Sequence, residues 1–136
     1  MADSQVSLHW NGAGLQFEAA HPSGNAVHLD GNGKAAYSPV QALLLSLASC
    51  TAADVVDIAG KMRVALSGLD VFVEGNRNPE APRYFQTVHI RYLVRGVAES
   101  DRSKIERAIG LSHDKYCSVL HSLRRDLEFS SELELV

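Results

Sequence analysis

The hydrophobic rhythm of the chain changes several times, and each change marks an element. Val6-Ser7-Leu8-His9-Trp10 alternates apolar and polar positions, the pattern of a strand with one buried face. Asn11-Gly12 is a hairpin signal, and Leu15 to Ala19 alternates again. His21 to Asn25 carries turn residues, Val27 to Asp30 reads as a third short strand, and Gly31-Asn32-Gly33-Lys34 is a flexible approach to the next element. From Ser38 the alternation stops. Val40, Ala42, Leu43, Leu44, Leu45, Leu47, Ala48, Cys50, Ala52, Ala53, Val55 and Val56 point in every direction around a 3.6-residue period, which predicts a helix apolar on all sides. Ser38 as N-cap, Pro39 at the first helical position and Gln41 three residues past the cap predict its start. Gly60 and Lys61-Met62-Arg63 predict its end near Arg63, where cations suit the helix dipole.

A helix of this kind is buried or spans a membrane. Ser46, Ser49, Thr51, Asp54 and Asp57 interrupt the run of about 20 apolar residues that spanning requires, so burial is expected and a membrane is not. Some 20 residues make roughly 30 Å of helix, more than one short chain covers on all sides. A homodimer is therefore expected, each copy covering what the other leaves bare.

Beyond the helix, alternation returns. Leu69, Val71 and Val73 predict a strand, Asn76 to Pro82 a loop, and Val88, Ile90, Tyr92 and Val94 a second strand that Gly96 ends. Ser100 or Asp101 caps a predicted helix with a stripe of Ile105, Ala108 and Ile109, reaching Ser112 or His113. A short second helix is expected to carry Cys117, Val119, Leu120 and Leu123. Leu127, Phe129, Leu133 and Leu135 alternate with acidic residues in a closing strand. The order βββ-α-ββ-α-α-β predicts an α+β domain with a mostly antiparallel sheet around a long buried central helix.

Composition narrows the classes. The chain has 136 residues, 46% hydrophobic and 21% charged, which fits one soluble domain over residues 1–136. The net charge is −3 and the basic residues are scattered, so nucleic acid is not an expected partner. Met1-Ala2-Asp3-Ser4-Gln5 has neither a basic nor an apolar leader segment, and the cytoplasm is the expected compartment. There a structural disulfide is disfavoured, and the two cysteines read as buried fillers, metal ligands or redox-active thiols.

Cys50 lies in the middle of the central helix. It is either a small buried hydrophobe or a nucleophile that acts as thiolate. Asp54 and Asp57, at i+4 and i+7 on its face, oppose a thiolate, so an activated Cys50 needs a cation brought by the fold. Cys117 falls near the start of the predicted second helix, where the dipole favours an anion, or is again a filler. His113, Cys117 and His121 follow at i, i+4 and i+8, and with Cys50 they make four N and S ligands if the helix is continuous. The break expected between the two helices, and the lack of a Cys-x-x-Cys pair, argue for no metal. No cofactor is expected.

Ser38-Pro39, Ala48-Ser49-Cys50 and Lys115-Tyr116-Cys117-Ser118-Val119 together resemble the osmotically inducible protein C and organic hydroperoxide resistance (OsmC/Ohr) superfamily. That family joins a Ser-Pro or Asn-Pro start to a long helix with a central Cys and a later Cys-x-Val, and the element order agrees along nearly the whole chain. The resemblance implies an intertwined homodimer and thiol peroxidase chemistry against organic hydroperoxides. Cys50 would be the attacking thiol and Cys117 the resolving one, with Val40 and Leu47 at the substrate. A dithiol reductant, such as a lipoyl protein, would complete the cycle. Val40 stands where well-characterised members carry Glu, and no Arg or Lys precedes Lys34, so the family's Glu–Arg clamp is absent or replaced by another Arg. Arg63, Arg83 and Arg91 are the candidate charges, with Asp54 a candidate partner. The alternative is a non-catalytic OsmC-like module holding a small hydrophobic or thiol-reactive ligand at the dimer interface.

Overall fold

The computed structural model describes residues 2–136. The chain is α+β, and it divides into two compact units, one up to Leu43 and one over Leu44–Val136. The first unit holds the antiparallel strands β1 (His9–Trp10), β2 (Gln16–Ala20) and β3 (Ala26–Asp30), in that spatial order. Asp30 ends β3 and accepts backbone N–H groups from Asn32 (2.9 Å), Lys34 (3.1 Å) and Ala35 (2.9 Å). Those bonds hold its carboxyl below the usual carboxylate range and fix the approach to the helix.

The long helix α1 spans Pro39–Lys61. Its expected capping box is present: Ser38 N–H donates to Gln41 Oε1 (2.9 Å) and Gln41 N–H to Ser38 Oγ (3.2 Å). It ends where Arg63 turns left-handed (φ 62), a position more often filled by glycine.

In the second unit β4 (Gly68–Arg77) and β5 (Phe85–Arg95) pair antiparallel, and β6 (Glu128–Leu135) pairs parallel with β5. This second sheet is therefore mixed, while every other strand pairing is antiparallel as expected. The helix α2 (Arg102–Leu111) and its following turns carry the chain from the end of β5 back to β6, and that crossover makes the pairing parallel. The expected second short helix is replaced by two turns. A π turn (Ser112–Tyr116) continues α2, and a 3₁₀ turn covers Leu120–Ser122.

The core lies between α1, α2 and one face of β5. Leu47, Thr51, Val55 and Ala59 recur every four residues on α1 and are buried. Val55 and Ala59 pack with Ile90, Tyr92, Val94, Ile105 and Ile109, while Leu47 packs with Val88 and Cys117. Each fully buried Leu, Ile or Val contributes about 1.5–3 kcal/mol. The other face of β5 is polar: His89 meets Ser130 (2.7 Å) and Glu132 (3.1 Å), and Arg91 meets Glu134 (3.3 Å). Only one stripe of α1 is buried within the chain; Leu45 and Val56 stay 47% and 52% exposed. The helix is long and apolar enough to cross a membrane by length and composition, yet its buried stripe is committed to β5 and α2.

Candidate functional site

Cys50 and Cys117 come from different elements and meet. Cys50 is half-buried on α1, Cys117 is 0% exposed, and both are free thiols. Cys50 packs against the buried cluster that contains Cys117, so the two thiols are neighbours. Around them pack Leu44, Leu47, Val73, Phe85, Val88, Val119, Leu120 and Phe129, which form an apolar wall. Gly75 on β4 makes room for it: a Cβ there would stand 2.6 Å from two carbons of the Phe85 ring.

The π turn delivers Cys117. Turns of this width are rare and recur at functional sites. Cys117 follows it with extended backbone (φ −74, ψ 99), its N–H donating to the Ser112 carbonyl at 2.8 Å. It therefore lies beyond the C-terminal end of a turn and not at a helix N-terminus, so the dipole expected there is not available. Two backbone donors remain: the 3₁₀ turn aims Leu120 N–H at Cys117 Sγ (3.3 Å), and Val119 N–H acts more weakly. Burial outweighs those donors and pushes the Cys117 thiol up to about 11, with neighbouring Cys50 adding to the rise. Cys117 is protonated at neutral pH.

A polar network lies behind the thiols. The buried Tyr92 hydroxyl meets His113 Nε2 at 2.7 Å and adjoins Thr51. Burial pushes Tyr92 up to about 12. It also holds His113 below its ordinary range, against a weaker opposite pull from Asp114. Ser112 Oγ donates to Asp54 Oδ2 at 2.8 Å. Sequence patterning does not reveal these contacts, although it carries one signal: Tyr92 is the only polar-tipped residue in the inward register Val88, Ile90, Tyr92, Val94, and a buried Tyr hydroxyl needs a partner.

The remaining candidates separate. Leu47 is 0% exposed and forms part of the wall beside Cys117. Val40 is half-buried in the first turn of α1. Asp54 is engaged by Ser112. Arg91 points to the opposite face of the sheet, over the Phe72 ring (4.6 Å). Arg83 Nε donates to the Asn78 carbonyl (3.4 Å) in the β4–β5 loop. Arg63 follows the end of α1, about 20 Å of helix axis beyond Cys50. Burial, Leu120 N–H and Cys50 act on Cys117 most, and no cation stands among them in the described residues. No three His, Cys, Asp or Glu side chains among the described residues converge as a metal cluster.

Residues 31–132 match the family model described as OsmC-like protein. Protein YhfA of Escherichia coli K12 is 35% identical over 133 residues, covering 97% of this chain and 98% of that protein. A hypothetical protein from Aquifex aeolicus VF5 is similar in structure at 27% identity, with a TM-score of 0.82 over 100% of this chain and 99% of that one. The organic hydroperoxide resistance protein OhrB of Bacillus subtilis shares the fold at 15% identity, with a TM-score of 0.62 over 98% of this chain and 100% of that one. A family model that matches most of the chain, together with a full-length relative, places this protein among the OsmC-like proteins.

Proposed function

We propose that the chain is a thiol-dependent peroxidase of oxidative stress defence, reducing organic hydroperoxides in the cytoplasm as a homodimer. The observation that carries this reading is the contact of two free thiols from separate elements, one reachable and one sealed. In the first step the Cys50 thiolate attacks the terminal peroxide oxygen. The O–O bond breaks, sulfur loses two electrons, and the alkoxide takes a proton to leave as an alcohol. In the second step Cys117 sulfur attacks the Cys50 sulfenic acid. An S–S bond forms, and the hydroxyl leaves as water with the proton from Cys117. A dithiol, such as a lipoyl group, returns two electrons and two protons. The apolar wall favours an organic peroxide over hydrogen peroxide. The fold shared with OhrB, whose name refers to organic hydroperoxide resistance, agrees with this class.

The dimer rests on α1. Its uncovered face carries Leu45, Ser49, Ala53, Val56 and Gly60, small and apolar groups that a second copy of the helix can approach closely. Cys50 lies half-exposed between that face and the buried stripe.

Steady-state turnover of an aryl hydroperoxide with a dithiol tests the assignment. Cys50→Ser removes all activity, whereas Cys117→Ser permits one oxidation and blocks turnover. Equal, full activity in both variants rejects the mechanism. One observation favours the second reading, a non-catalytic module that binds a small hydrophobic or thiol-reactive ligand: Arg83 and Arg91 are engaged elsewhere within the chain. Under that reading neither variant changes any turnover, and a hydrophobic probe binds stoichiometrically.

A further inference from the structure

The residues that flank the two cysteines are hydrogen-bonded to one another, independently of the sulfurs. On α1, Thr51 follows Cys50 and Asp54 lies one turn beyond it. On the turn, Ser112 and His113 are the first two residues of the π turn that Cys117 ends. Ser112 Oγ donates to Asp54 Oδ2 at 2.8 Å. The Tyr92 hydroxyl meets His113 Nε2 at 2.7 Å and adjoins Thr51, whose hydroxyl donates to the Leu47 and Ala48 carbonyls at 3.1 Å each. Thr51 and Ser112 are fully buried. The imidazole is held from a further side by the Phe129 ring, edge-on at 4.9 Å, and the His113 carbonyl is met by His121 Nε2 at 3.0 Å.

These ties matter because closure of a disulfide tolerates little misplacement: the Cα atoms must lie about 4.4–6.8 Å apart with their Cβ atoms facing. Cys117 sits on an irregular segment between a π turn and a 3₁₀ turn, with no regular ladder to hold it. Its N–H is anchored on the turn by the bond to the Ser112 carbonyl. The residue that provides that anchor is the one tied to Asp54, one turn from Cys50.

We propose that Asp54, Thr51, Tyr92, Ser112 and His113 are positioning residues for the Cys50–Cys117 disulfide. Through the Asp54–Ser112 and Thr51–Tyr92–His113 ties they hold Cys117 at bonding range of Cys50 and so set the redox equilibrium of the pair. This deepens the proposed function and rests on the pair being a redox couple. The equilibrium can be followed without any peroxide. A dithiol reduces the Cys50–Cys117 disulfide, two electrons and two protons pass to the cysteines, and the dithiol closes to its own cyclic disulfide.

The full-length chain, Ser112→Ala, Ser112→Thr, Tyr92→Phe and the core variant Ile105→Val, which belongs to neither tie, are equilibrated in mixtures of reduced and oxidised dithiothreitol. The intramolecular disulfide is then counted by mass after alkylation, and Tm is recorded for each. Ser112→Ala and Tyr92→Phe shift the equilibrium toward the dithiol by about tenfold, which is about 1.4 kcal/mol. Ser112→Thr, which keeps the hydroxyl, restores the wild-type value. Ile105→Val lowers Tm without moving the equilibrium. A wild-type equilibrium in both Ser112→Ala and Tyr92→Phe overturns the proposal, as does a shift in Ile105→Val equal to theirs. Because no hydroperoxide is used, an inactive protein with a tie-dependent disulfide sinks the peroxidase reading alone, and an active one with a tie-independent disulfide sinks this proposal alone.

Discussion

Replacing Leu47 with alanine tests the packing that brings α1 to the cysteine pair. The side chain is 0% exposed and sits between Val88 and Cys117. The change removes three carbons at about 0.8 kcal/mol each, or about 2.4 kcal/mol of transfer free energy. A cavity term adds to this, because the β5 strand and the π turn cannot both collapse into the gap, giving about 3–4 kcal/mol in all. With 136 residues the unfolding entropy is about 0.29 kcal/mol per degree, so Tm falls by about 10–14 °C. Leu45, two residues earlier on the same helix, is the internal control. It is 47% exposed within the chain, so Leu45→Ala costs about 1 kcal/mol or less if the chain stays alone. If a second copy covers it, the loss approaches that of Leu47→Ala and Tm becomes concentration-dependent. The assay is thermal unfolding at two protein concentrations about 50-fold apart. A fall in Tm below about 3 °C for Leu47→Ala refutes the packing of α1 on β5.

Three other outcomes are expected. Burial holds His113 below its ordinary 6.5, so the unfolded chain binds a proton near that pH that the folded chain refuses. Its contribution to stability is therefore complete above pH 6.5 and falls as pH drops below it, and His113→Gln flattens that limb in a pH series of denaturant midpoints. On the alkaline side, Cys117 and Tyr92 are raised from 9.0 and 10.0 to about 11 and about 12, so stability declines as pH rises through those ordinary values, where the unfolded thiol and phenol ionise first. Gly75→Ala puts a Cβ 2.6 Å from the Phe85 ring, and the forced shift costs about 1–3 kcal/mol, read as a lower Tm; an unchanged Tm contradicts the close approach.

Much of the local structure is legible in the sequence because it is written in local chemistry. The Ser38–Gln41 box starts α1 through two side-chain bonds that need only a three-residue spacing. The inward register Val88, Ile90, Tyr92, Val94 follows from alternation alone. The direction of β6 is not legible, because alternation specifies a face and not the sense of pairing, which the α2 crossover decides. The π turn is not legible either. Ser112 to Tyr116 has no proline or glycine to announce it, and its side-chain ties run to Asp54 and Tyr92, 58 and 21 residues away. For the same reason the sequence suggests a helix N-terminus for Cys117, and what it has is the backbone donors of Leu120 and Val119 in a sealed site. The pairing of Cys50 with Cys117 comes from family resemblance, and the geometry gives it a physical basis in contact between two free thiols.

The most direct test mixes the reduced protein with one equivalent of an organic hydroperoxide and counts free thiols over seconds, with the products read by mass. The expected result is the loss of two thiols per chain and a Cys50–Cys117 disulfide within one polypeptide. Two thiols still free after the peroxide is added would contradict the peroxidase mechanism.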